Sequence, residues 1–66
     1  MDWSIKEIIE HNRKLVNMSV DELAGVIGLS RNAIYVRYRE PRNWRLGELI
    51  DAYDFLKVPE GERRYE

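Results

Sequence analysis

The stretch SVDELAGVIGLSRNAIYVRYREP, residues 19–41, contains the signals of two short helices joined by a tight turn. Apolar residues recur in its first half at i, i+3, i+4 and i+7, the spacing of one buried helical face: Val20, Leu23, Ala24 and Ile27. Gly28 follows this face, and glycine tolerates the left-handed conformation in which a helix stops sharply. The first half of the stretch is therefore predicted to be a helix that ends at Gly28.

A further helix is predicted to begin only two residues later. Ser30 can cap it through its hydroxyl group, and Leu29 and Ile34 stand at the two positions of a hydrophobic staple around that cap. Pro41 disfavours helical geometry in the residue before it. The helix should therefore end near Arg39.

The spacing of residues around this turn is typical of a helix-turn-helix. Ala24, four residues before Gly28, is small enough for two helices to cross closely, and Ile34, six residues after it, can lock the second helix onto the first. This arrangement leaves four residues pointing outward where a recognition helix meets base edges: Arg31, Asn32, Tyr35 and Val36.

One more helix is predicted before this pair and one after it. The first should begin at Ser4, because Ser4 and Glu7 have the spacing of a capping box, as Ser19 and Glu22 do at the second helix. The fourth helix presents one apolar face at helical spacing: Leu46, Leu49, Ile50, Tyr53 and Leu56. Pro59 follows it, and the polar tail is expected to fray.

These elements predict an all-α fold, because no run alternates between apolar and polar residues as a strand does. We expect a compact bundle of four or five helices that contains a helix-turn-helix. A chain of 66 residues has room for one domain at most. We assign residues 1–58 to the helix-turn-helix domain and residues 59–66 to a short C-terminal tail.

The composition limits the classes of function that this chain can have. The chain has no cysteine and one histidine, so thiolate metal sites are excluded and a catalytic constellation is hard to assemble. We expect no enzyme activity, metal, cofactor or small-molecule substrate. No apolar run approaches the ~20 residues that span a bilayer, so no membrane association is expected.

Charge is divided unevenly along a chain whose net charge is −1. Residues 29–45 carry five arginines against one glutamate, whereas the segments before and after them are acidic. Local charge is the better guide to a polyanionic partner, which would meet the middle segment first.

MSVDELAGVIGLSRNAIYVRYREP, residues 18–41, resembles the helix-turn-helix of lambda-repressor-like regulators of the Cro/CI type, commonly encoded by bacterial viruses and their hosts. RNWRLGELIDAYDFLKV, residues 42–58, is similar to the family's fourth-helix segment. The resemblance implies a repressor that inserts its third helix, residues 30–39, into the operator major groove. It also implies a cytoplasmic location in a bacterial cell or a phage-infected host.

Carried over residue by residue, the resemblance places one set of side chains at bases or adjacent phosphates: Ser30, Arg31, Asn32, Tyr35 and Val36. It places a second set beside the DNA backbone: Ser19, Val20 and the loop Arg39–Arg45. Arginine can pair with guanine and asparagine with adenine through two hydrogen bonds, each pair contributing ~1–3 kcal/mol of discrimination. Tyr35 can pack on a thymine methyl or bond a phosphate, and Val36 can meet a methyl or be partly buried.

The remaining basic residues suit phosphate contact, which adds affinity without sequence information. The predicted phosphate contacts are Ser19, Arg37, Arg39, Arg42, Asn43 and Arg45, with Asn43 alternatively starting the fourth helix. Arg45 stands where relatives have a serine or threonine cap, and losing that cap costs ~1 kcal/mol. Tyr38 occupies the position of a glutamate that pairs in relatives with an arginine like Arg13, so that pairing must differ.

Several aromatic side chains can be explained by packing within the protein instead of by contact with a partner. Tyr38 is predicted to lie in the core, and Trp44 is predicted to form a staple against Leu49. Tyr53 and Phe55 lie on adjacent sides of the fourth helix, so one should be buried and the other available to a partner. His11 is predicted to be a surface residue.

The leading hypothesis is a sequence-specific double-stranded DNA-binding regulator. One short helix reads few base pairs, so a homodimer is expected, at least on DNA, with half-sites about one helical turn apart. Phe55, Val58 and the tail are the candidate dimer surface. The alternative is a protein-interaction module, an antirepressor or regulator that binds another protein through the same bundle.

Overall fold

Four α-helices and two 3-10 turns make up the computed structural model, which describes residues 2–66. Helix α1 spans Ile5–Leu15, α2 Val20–Ile27, α3 Arg31–Arg39 and α4 Leu46–Leu56, and the 3-10 turns are Pro41–Asn43 and Glu60–Glu62. No strand occurs within this described range, so the predicted all-α class is confirmed and the helices form a four-helix bundle. None of these helices is long and apolar enough to cross a membrane.

The predicted capping boxes are formed at α1 and α2. Ser4 Oγ accepts a hydrogen bond from Glu7 N at 3.2 Å, and Glu7 Oε1 accepts one from Ser4 N at 2.9 Å. Ser19 and Glu22 repeat this exchange, each bond being 3.0 Å long. Because each box satisfies two backbone donors that a helix start leaves unpaired, the two helices begin where the sequence predicts.

The turn between α2 and α3 consists of Gly28, Leu29 and Ser30. Gly28 has φ of 76°, a left-handed conformation that costs glycine little and other residues more. Leu29 N donates to Ala24 O at 2.8 Å, which closes the end of α2. Ser30 Oγ then accepts from Ala33 N at 3.1 Å, so α3 starts immediately.

One hydrophobic core joins all four helices, because α4 packs against both α1 and α2 while α3 packs against α2. Its members include Ile9, Leu23, Ile34 and Leu49, which are almost completely buried. Of the two aromatic residues on α4, Tyr53 is buried and Phe55 is 49% exposed, as the helical spacing predicted. Since α3 meets the bundle on one side, its other side is open to solvent.

The C-terminal tail packs on α4, and the prediction that it frays is wrong. The Tyr53 hydroxyl donates to Arg64 O, and the Tyr65 ring meets the Tyr53 ring edge to face at 5.5 Å. Arg63 Nε donates to Val58 O at 2.8 Å. Val58 itself is 2% exposed, so it lies in the core and cannot belong to a dimer surface as the sequence suggested.

Replacing Tyr53 with phenylalanine should therefore lower the free energy of unfolding by about 1 kcal/mol, the ordinary contribution of one hydrogen bond. Tyr35→Phe is the matched control, because the Tyr35 hydroxyl forms no hydrogen bond with another of residues 2–66. Urea denaturation of both variants measures the difference. Equal stability of Tyr53→Phe and the unaltered protein would mean that the tail is not docked.

Candidate nucleic-acid interface

The first two turns of α3 carry the predicted base-facing residues on the solvent side of the bundle. Ile34 is fully buried and anchors the helix, which turns Arg31, Asn32 and Tyr35 outward. Ser30 is exposed beside them at the cap, whereas Val36 is partly buried, the second of the two interpretations left open for it. The structure thus brings four of the five predicted residues to one exposed surface and places Val36 at its edge.

Arg31 and Asn32 differ in their surroundings. Arg31 Nε lies 3.5 Å from Asp21 Oδ1 on α2, and the two side chains are 62% and 68% exposed. No side-chain hydrogen bond joins Asn32 to any other residue between Asp2 and Glu66. Both side chains can therefore reach an external partner without breaking a buried contact.

Arg37 has a structural role that sequence reasoning missed. Its Nε and Nη2 donate to the two carboxylate oxygens of Glu48 at 2.9 and 3.2 Å, and its Nη1 donates to Ala33 O at 3.2 Å. The Arg37 and Glu48 side chains are only 17% and 14% exposed. This guanidinium ties α3 to α4, so we withdraw Arg37 from the predicted phosphate contacts.

The same carboxylate forms one half of a capping box at the start of α4. Arg45 has no side-chain acceptor and forms no side-chain cap, but Glu48 Oε1 accepts from Arg45 N at 3.0 Å. Burial acts to raise the pKa of Glu48, while the hydrogen bonds from Arg37 and the Arg45 amide outweigh it, leaving the pKa below its usual value. Glu48 is thus held ionised at the junction of α3 and α4.

This shift predicts a pH dependence of stability. Because the pKa of Glu48 is lower in the folded than in the unfolded state, its contribution is present above the unfolded value of about 4.3 and is lost as pH falls through the folded one. The stability difference between the unaltered protein and Glu48→Gln should be largest at pH 7 and should shrink towards pH 3. Urea denaturation across that range measures it, and a constant difference would contradict this account.

Arg13 and Tyr38 are linked through Glu10. Arg13 therefore pairs with a glutamate of its own helix, and not with one at the position of Tyr38. Arg13 donates to Glu10 at 2.7 and 3.0 Å, and the Tyr38 hydroxyl donates to Glu10 Oε2 at 2.8 Å. The hydrogen bond from Arg13 is the main reason that the pKa of Glu10 is lowered, while burial raises the pKa of Tyr38 well above its ordinary value. Tyr38 packs against the core, as predicted, and connects α3 to α1.

The last residue of α3 and the segment after it carry a group of exposed polar side chains. Arg39 and Arg45 are exposed and form no ion pair with any of residues 2–66. Arg42 lies 3.9 Å from Glu40, and its side chain is 84% exposed. Asn43 Nδ2 donates to Glu40 Oε2 at 3.2 Å, and the 3-10 turn ends at Asn43. These residues retain the exposure that phosphate contact requires.

Trp44 fixes the turn that carries them. It is 8% exposed and belongs to the hydrophobic core, and its ring centroid lies 6.4 Å from that of Tyr38. The staple contact with Leu49 stays a prediction. The Arg37 guanidinium carbon lies 6.0 Å from the Trp44 ring centroid. Trp44 is therefore a packing residue, and it is not available for stacking on a base.

The start of α2 is a poor phosphate site. The Ser19 hydroxyl oxygen is used by the cap, Val20 is buried, and the exposed carboxylates of Asp21 and Glu22 follow at once. A phosphate there would meet two negative charges, so we leave Ser19 out of the interface.

No protein-family model, curated protein or solved structure matches this chain. Its function is therefore inferred from the residues of this face.

Proposed function

We propose that this chain is a sequence-specific double-stranded DNA-binding regulator that places α3 in the major groove. One observation carries the proposal: Arg31, Asn32 and Tyr35 are exposed together on the first turns of a helix that Ile34 anchors to the bundle. The major groove is about 12 Å wide and admits an α-helix. A helix held on one side by α2 and open on the other suits that groove.

The side chains at the start of α3 supply sequence information. The guanidinium of Arg31 can donate twice to guanine O6 and N7, and the amide of Asn32 can pair with adenine N6 and N7. Tyr35, which is 43% exposed, can contact a thymine methyl or a phosphate. Ser30 can donate to an adjacent base or phosphate through its hydroxyl hydrogen, since its oxygen accepts the Ala33 amide.

Phosphate contacts come from the end of α3 and the segment that follows it: Arg39, Arg42, Asn43 and Arg45. These residues flank the recognition helix without lying on its first turns, so they can hold the backbone on one side of the groove. Their contribution is electrostatic and independent of sequence. The acidic segments elsewhere in the chain repel DNA and confine it to this face.

A single short recognition helix supplies too little discrimination for a regulator. Specific binding exceeds non-specific binding by ~10³-fold or more, which two half-sites read by two chains can provide. We therefore propose a homodimer on DNA with half-sites about one helical turn apart. Such a protein would repress transcription by occupying the operator.

A salt titration of DNA binding tests the proposal. Three of the four phosphate contacts are arginines, so log Kd against log salt should have a slope of about 2.5 to 3 in magnitude for each bound chain, at ~0.9 for each charged contact. Fluorescence anisotropy on labelled duplex DNA measures it. A flat salt dependence, or no binding at low salt, would instead favour the protein-interaction module.

Two matched variants locate the contacts. Arg39→Gln with Arg45→Gln should reduce the slope by about 2, because both guanidinium groups are exposed and without an ion-pair partner in residues 2–66. Lys57→Gln should leave the slope unchanged, because Lys57 follows the far end of α4, roughly 18 Å from Arg45 at 1.5 Å per residue. An equal loss in both would place the phosphate contacts elsewhere.

A further inference from the structure

An acidic side chain lies directly beside the proposed base-reading surface. Asp21, on the first turn of α2, approaches Arg31 across the turn that joins α2 and α3, with 3.5 Å between Oδ1 and Nε. A carboxylate at this place repels phosphates, and the capping box of α2 does not need it, because Glu22 supplies that contact. The pair is also largely exposed, so it contributes little to the stability of the fold.

We propose that Asp21 is a positioning residue that directs Arg31 to guanine rather than to phosphate. This inference rests on the proposed function. A guanidinium group has five N–H donors in a planar fork. Because the Asp21 carboxylate lies on the Nε side of the guanidinium, the two terminal nitrogens remain free to donate to guanine O6 and N7.

The charge of Asp21 acts in the same direction. It offsets the positive charge of Arg31, so Arg31 adds little to sequence-independent attraction, whereas its hydrogen bonds to guanine are retained. Closure of the DNA interface removes water, which strengthens the pair by lowering the local dielectric constant. Asp21 thus weakens binding to random DNA more than binding to a site with guanine in the correct place.

Asp21→Asn is the test, compared with Glu22→Gln. Both variants remove one negative charge from the first turn of α2, and glutamine preserves the acceptor that the capping box requires. Binding of each is measured to a selected site and to the same site with the Arg31-dependent guanine pair replaced. We expect Asp21→Asn to reduce this discrimination by about threefold to tenfold, part of the ~5- to ~150-fold that a bidentate pair supplies. Binding of Asp21→Asn to random DNA should become tighter.

Glu22→Gln should change the affinity for both sites by the same factor and leave their ratio unaltered. In an Arg31→Ala background, Asp21→Asn should have no further effect on the ratio, because the residue that it positions is gone. If the unaltered protein binds specifically but Asp21→Asn discriminates as it does, this inference is overturned and the proposed function stands. If the unaltered protein does not bind duplex DNA, both are overturned.

Discussion

Replacing Arg31 and Asn32 together with alanine is expected to remove most of the sequence discrimination of the protein while leaving it folded. Each bidentate base contact contributes ~1–3 kcal/mol, so the preference for a specific site over random DNA should fall by about 30-fold or more. The stability should change little, since both side chains are exposed and Arg31 has only one weak ion pair. Anisotropy with a specific and a random duplex measures the ratio, and urea denaturation checks the fold.

Arg42→Ala is the matched control, because it also removes one positive charge from an exposed side chain. It should weaken binding to both duplexes by the same factor and reduce the salt slope by about 0.9. If the double variant and Arg42→Ala lost affinity equally on specific and random DNA, the recognition surface would not be the start of α3.

Arg37→Ala is expected to lower the free energy of unfolding by about 1–3 kcal/mol. The change removes two hydrogen bonds to Glu48 and leaves that carboxylate largely buried without its partner. For a domain of this size, each kcal/mol lowers Tm by about 4–8 °C. Calorimetry or urea denaturation at pH 7 measures the loss.

Arg39→Ala serves as the control for Arg37→Ala, since Arg39 lies two residues further along α3 and is exposed. It should leave stability within about 0.5 kcal/mol and reduce the salt slope of DNA binding. Arg37→Ala should instead lower stability and leave the salt slope unchanged, when binding is measured at a temperature where that variant is folded. If Arg37→Ala kept full stability and lost one phosphate contact, the interpretation drawn from sequence alone would be correct.

Much of the fold could be predicted because its signals are local. A capping box spans four residues, and a glycine turn depends on the conformation of one residue. The helices α1, α2 and α3 therefore begin, and α2 and α3 end, as their own sequences indicate. The apolar spacing of α4 likewise identified the buried Leu49, Tyr53 and Leu56, whereas Leu46 and Ile50 of the same predicted face are 61% and 38% exposed. Such features require no knowledge of which helix packs against which.

The errors concern contacts between residues that are distant in the chain. Arg37 and Glu48 are separated by a proline turn, and only the folding of α3 and α4 around α2 brings them together. The tail was expected to fray because it is polar, yet its backbone accepts a hydrogen bond from Tyr53 of α4, and Arg63 donates to Val58 just after that helix. Sequence spacing could show that Arg31 points outward, but not that Asp21 of the preceding helix meets it.

Selection of bound sites from random duplex DNA tests the central claim most directly. The account predicts enrichment of a palindromic consensus in which each half-site contains a guanine and an adenine and the half-sites are about 10 base pairs apart. When the selection is repeated with the variant in which Arg31 and Asn32 are both alanine, the guanine and the adenine should no longer be enriched. No enriched sequence from the unaltered protein at low salt would contradict the proposal that this chain recognises DNA.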